Sequence, residues 1–66
     1  MEKPNLALLD EEAAARILGA KVATLRKWRW AGTGPRYTKL GKLVRYRLSD
    51  IEQFVDSGTV LPRAER

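Results

Sequence analysis

Gly19, the run Gly32-Thr33-Gly34-Pro35, Gly41 and Gly58 punctuate this chain so closely that no long helix or strand fits between them. Glycine tolerates the left-handed backbone that ends helices and forms tight turns, and proline cannot continue a helix or donate to a sheet. The fold must therefore be assembled from short elements sharing one small core. With 66 residues the chain is one domain, and a chain near that length buries only about 60% of the surface its unfolded form exposes. A large enclosed active site is not expected. The sequence holds no Cys and no His, so disulfides, a thiolate nucleophile, the usual zinc ligand sets and the usual general base are all missing. Glu11, Glu12, Asp50 and Glu52 fall at expected helix starts, where capping and the helix dipole account for them without a reaction. The expectation is a protein that is not an enzyme and that needs no cofactor and no metal.

The pieces between the breakers read as distinct elements. Asp10 is a good N-cap, followed by Glu11 and Glu12 in the first turn and by EEAAARIL, a run of strong helix formers ending at Gly19. This predicts a first helix over about 10–18. A second is expected from Lys21 to Ala31, and a turn of so few residues forces the two helices to cross steeply. In RYTKLGKLVRYR, β-branched and aromatic residues flank Gly41-Lys42, which suits a two-residue type II′ hairpin closed by Leu40 and Leu43. A last helix is expected to begin at a capping Ser49, with Glu52 at the capping-box spacing and with Ile51, Phe54 and Val55 on one face, and to end at Gly58. Ala7 to Leu9 fit a short extended piece laid along the hairpin. The core is expected over about 7–58, between flexible N-terminal residues and a flexible tail, 59–66, from which Val60 and Leu61 can fold back on the core.

Charge is strongly segregated along the chain. Residues 1–20 carry a net −2 and residues 48–66 a net −2, whereas Lys21, Arg26, Lys27, Arg29, Arg36, Lys39, Lys42, Arg45 and Arg47 make the central segment +9 with no Asp or Glu at all. An ordinary solvated surface mixes its signs, so an unbroken basic block points to a polyanion, nucleic acid above all. An acidic protein surface is the alternative partner that charge alone leaves open. The N-terminus MEKPNLALLD has neither the basic flank nor the apolar run of a signal peptide, and no stretch reaches the roughly 20 apolar residues of a membrane helix. A soluble, cytoplasmic protein with no membrane contact is expected.

The two-helix unit is the most specific signal. Ala14, Ala15 and Leu18 line one side of the first helix, Gly19 and Ala20 make the turn, and Leu25 and Trp28 lie one helical step apart on the second. Small Ala15 admits the second helix closely, which is the logic of a helix-turn-helix rather than of two helices packed for stability alone. At about 100° per residue, Ala23, Arg26, Lys27 and Trp30 then point outward, with Val22, Thr24 and Arg29 on the flanks. Arg26 is the candidate to pair bidentately with guanine, Ala23 or Val22 to touch a thymine methyl, and Lys21, Thr24 and Lys27 to hold phosphates. In the hairpin, Tyr37, Val44 and Tyr46 are expected inward and Arg45 and Arg47 outward, with Lys39 and Lys42 near the tip. A basic hairpin beside a reading helix can straddle the DNA backbone or enter a minor groove, although an edge hairpin also uses charge to block aggregation. Trp28 is expected in the core, and Trp30 beneath the hairpin rather than on a ligand or partner.

The run DEEAAARILGAKVATLRKW followed by GTGPRYTKLGKLVRYRLSDIEQFV resembles the excisionase-like and AlpA-like small DNA-binding proteins, compact relatives of the MerR-type winged helix. The likeness covers residues 8–56 and rests on the linked features E-E-A-A, L-G, T-L-R-K-W, G-P-R-Y, K-L-G and V-R-Y-R-x-S-D-I. It implies an α+β winged helix-turn-helix with the second helix in the major groove and the hairpin, or wing, on the backbone or adjacent minor groove. By position, the contacts it implies fall on Lys21, Val22, Ala23, Thr24, Arg26 and Lys27, and on Arg36, Lys39, Lys42, Arg45 and Arg47. It departs from its relatives at Ala20-Lys21-Val22-Ala23, where a capping Ser or Thr is common, and it shows no effector domain of the MerR regulators. Two roles are implied: excisionase, bending attachment-site DNA and biasing an integrase partner toward excision, or AlpA-like transcriptional regulator. A monomer in solution, binding as several copies on adjacent DNA sites, is expected for the first.

Overall fold

The computed structural model describes residues 7–62. Its elements are β1 (Leu8–Leu9), α1 (Glu11–Leu18), α2 (Val22–Ala31), β2 (Thr38–Leu40), β3 (Leu43–Arg47) and α3 (Leu48–Ser57). The three strands form one antiparallel sheet in the order β1-β3-β2. The architecture is the expected α+β winged helix-turn-helix. The extended piece before α1 pairs through Leu8 with Arg47 and through Leu9 with Tyr46, so the sheet gains its third strand from the N-terminal side.

Each boundary has a local cause. The Asp10 side chain accepts a hydrogen bond from the Ala13 N–H at 2.9 Å, and Gly19 closes α1 with φ +67° while the Ala20 N–H reaches the Ala15 carbonyl. Gly32, at φ +78°, ends α2 in the same left-handed way. The hairpin turns on Gly41 at φ +66° with no positive φ at Lys42, the φ signature of a type II′ turn, and Leu40 pairs Leu43 across it.

Two expectations about α3 and the tail are corrected. The helix begins at Leu48, with Arg47 as N-cap and no side-chain cap, so Ser49 and Glu52 do not form a capping box. The reason is that β3 runs straight into α3: the Leu48 N–H is taken by the Ala7 carbonyl at 3.1 Å, a backbone partner that replaces the serine. Val60 and Leu61 do not fold back; they are 83% and 85% exposed. Residues 1–6 and the end of the tail, 63–66, for which flexibility was expected, lie outside the described residues.

Ala14, Ala15, Leu25, Tyr46 and Ile51 form the buried core, with Leu9, Leu18, Val22, Trp28 and Val44 packed around it. The two alanines do what their size allows, letting α2 approach α1 until Leu25 is fully buried. Trp28 is partly buried rather than enclosed; it meets Phe54 of α3 with ring centroids 5.5 Å apart. Val55, expected on the same face as Ile51 and Phe54, is half-exposed.

Candidate nucleic-acid interface

The second helix, α2, is positioned by its inner face. Because Leu25 is buried and Trp28 is wedged toward α3, Ala23, Arg26, Lys27 and Trp30 all lie exposed, and Val22, Thr24 and Arg29 are intermediate, as the 100° count requires. Lys21 is the N-cap of α2 but makes no side-chain cap bond, and the first turn carries no acid. Ala23, Arg26 and Lys27 are thereby brought onto one solvent-facing stripe, with Lys21 exposed at its start.

Arg26 is not a free cation. Its guanidinium donates through Nε to both carboxylate oxygens of Glu11 at 3.2 Å, and through Nη2 to Oε2. Arg29 lies 3.6 Å from the same carboxylate. The hydrogen bond from Arg26 lowers the Glu11 carboxyl below the usual glutamate value; partial burial opposes the shift, and the charges of both arginines reinforce it. Glu11 therefore serves α1 twice, as a first-turn anion and as the anchor of a residue on the exposed face of α2.

Arg29 is the residue whose importance the sequence reading passed over. It donates to the Tyr46 hydroxyl at 2.9 Å and its guanidinium carbon sits 5.6 Å from the centroid of the Tyr37 ring. It thus satisfies the polar end of the largest fully buried side chain and ties α2 to the wing. A signal was available: Arg29 lies only about 40° around the helix from buried Leu25, where a cation needs a partner.

In the wing, cross-strand pairing fixes which cations share a face. Val44 and Tyr46 face the core with Lys39 opposite Val44, while Arg45, opposite Thr38, and Arg47 fall on the other face. Lys42 occupies the turn. Arg45 is half-buried and donates to its own Val44 carbonyl, and the other four wing cations are exposed. Arg36 and Arg47 line a shallow pocket with Arg29, Tyr37 and Asp50, whereas Lys42 and Arg45 line a cleft with Glu11, Glu12, Arg26 and Arg29. The five wing cations thus reach around the hairpin instead of forming a single row. Tyr37 departs from expectation: it stacks near Tyr46 at 6.3 Å but is 43% exposed. Trp30 departs further, being 90% exposed where packing beneath the hairpin was expected. Its position on the stripe of Ala23, Arg26 and Lys27 turns it away from the core, which Tyr46 and Arg29 already close on the hairpin side.

Two packed helices joined by a short turn, the second with an exposed cationic stripe, and a basic hairpin beside it make a recognisable arrangement, and residues 8–59 match the helix-turn-helix domain family. The chain belongs to that family. This helix-turn-helix domain is a DNA-binding domain, and α2 is the second helix of its pair. No curated protein matches the chain. No helix among the described residues of the helix-turn-helix domain is long and apolar enough to cross a membrane.

Proposed function

We propose that this helix-turn-helix domain is an architectural recombination factor of the excisionase kind. It binds double-stranded DNA sequence-specifically, lays Lys21, Val22, Ala23, Thr24, Arg26 and Lys27 toward the major groove, and sets Arg36, Lys39, Lys42, Arg45 and Arg47 against backbone and minor groove. The observation that carries DNA reading is the single exposed stripe of Ala23, Arg26 and Lys27 on α2, with no acid in that helix's first turn. The resemblance over residues 8–56 supports the recombination role. In this reading several monomers bind adjacent sites, bend the attachment DNA and favour excision by a partner integrase. A domain with so small a reading surface gains specificity by adding copies, and the few kcal/mol of bending are offset by the contacts that a curved path brings within reach. It acts by binding alone, without catalysis.

The deciding experiment supplies the protein, with the integrase of its own genetic element, to cells carrying that element integrated. Excision should rise. If excision is unchanged while a neighbouring promoter responds, the AlpA-like regulatory role replaces this one. If binding to an acidic protein persists when excess duplex is added, and DNA binding is insensitive to salt, the domain is a protein-docking module instead.

A further inference from the structure

The largest aromatic surface exposed by this chain is the one that packing alone does not explain. Trp30 is 90% exposed near the end of a helix of ten residues, and it shares an open groove of about 490 Å³ with Arg26, Arg29 and Tyr37. Tyr37, leading into β2, is 43% exposed, and its ring lies near the Arg29 guanidinium and the Tyr46 ring, which are themselves hydrogen-bonded to each other through the Tyr46 hydroxyl. The groove is therefore lined by two guanidinium-bearing and two aromatic side chains. Such a surface suits a ligand that alternates negative charge with a ring that presents an apolar face.

Its location selects the ligand. The groove lies where the exposed face of α2 meets Tyr37, the residue that leads into the wing, and in a DNA duplex the major and minor grooves are separated by a single sugar–phosphate strand. When α2 lies in the major groove and the wing reaches the neighbouring minor groove, that strand has to run between them. We propose that the groove of Trp30 and Tyr37 seats this strand, the two rings packing on deoxyribose beside the cationic surface of α2 and the wing. The inference rests on the DNA-binding reading above and adds to it an apolar, sequence-independent contact borne by a residue outside the basic set. A second copy of this chain meeting the groove through the same face is a poorer occupant, because the surfaces of α2 and the wing that surround it are cationic on every copy.

The test uses the full chain and a short mixed-sequence duplex. Trp30→Ala should lower affinity about ten-fold, the loss expected for uncovering one aromatic contact. It should do so equally on every duplex and leave the salt dependence unchanged, since no charge is removed. Trp30→Phe, which keeps a ring face, should retain affinity within about three-fold. The melting temperature of both variants should match the parent, as the side chain is exposed. Acrylamide quenching of the fluorescence that Trp30→Phe removes should fall when duplex is added to the parent. Unchanged affinity for Trp30→Ala, with the parent binding normally, overturns this inference and leaves the DNA-binding reading intact; a parent that fails to bind any duplex at low salt overturns that reading first. If the parent self-associates in sedimentation and Trp30→Ala abolishes self-association along with the affinity loss, the groove holds a second copy and the proposal is wrong.

Discussion

In the proposed reading Arg26 has two claims on its guanidinium, Glu11 and a guanine edge, and the balance between them sets sequence discrimination. Glu11 holds it in a bidentate pair on the free domain, so reading a guanine requires either that the pair be exchanged for the base edge or that Glu11 orient the guanidinium toward it. Arg26→Ala should lose about 1–3 kcal/mol at one base position while binding to random DNA falls much less. Lys42→Ala and Arg45→Ala should weaken target and random DNA alike, since a phosphate contact carries no sequence information. Bandshifts on both duplexes separate the two classes, and an equal loss for Arg26→Ala would refute its base-reading role. Glu11→Gln should raise affinity for random DNA, because one negative charge leaves the edge of a basic surface. The same substitution has a signature in stability. The Glu11 carboxyl is lowered in the folded state, so its contribution is complete above the ordinary glutamate value of about 4.3 and is lost as pH falls through the lowered folded value. Thermal unfolding followed from pH 7 down to pH 3 should show a shallower acid decline for Glu11→Gln than for the parent.

Among the elements, α2 carries the most constraints, since its two faces answer to different partners. Its inner side depends on Trp28, which touches Phe54 of α3 and covers the turn at Gly34. Trp28→Ala should cost about 3 kcal/mol or more, close to the whole stability of so small a domain, and leave little cooperative thermal transition. A melting temperature within a few degrees of the parent would show that the wedge is dispensable. The turn is equally exacting. A Cβ on Gly34 would come within 2.8 Å of the Trp28 Cβ, and the residue sits at φ +86°, so Gly34→Ala is penalised by both contact and backbone. It should lower the melting temperature more than Gly41→Ala, whose Cβ would meet open space although its φ is also positive. Chemical denaturation of the two variants side by side checks the order.

For the whole molecule the governing fact is the separation of charge along the chain into acidic ends and a +9 centre. If five to seven phosphates are neutralised, the logarithm of affinity should fall against the logarithm of salt with a slope of about −4.5 to −6. A slope shallower than about −2 would mean that most of these cations never meet the backbone. The fold makes a partial neutralisation reasonable: Arg26 and Arg29 share Glu11, and Arg45 is half-buried.

What the sequence determined by itself is local. Breakers with known backbone preferences placed the ends of α1, α2 and the hairpin, Asp10 announced the start of α1, and helical counting assigned the faces of α2, because each of these depends on neighbours within a turn or two. The start of α3 was misjudged since its first N–H is satisfied by Ala7, about forty residues away in the chain, a partner that no local pattern reveals. The engagement of Arg26 by Glu11, the role of Arg29 beneath Tyr46 and the exposure of Trp30 were likewise decided only in three dimensions. Composition shows that a residue is charged or aromatic, and helical periodicity shows which way it points, but whether anything stands opposite it is settled by how the elements meet.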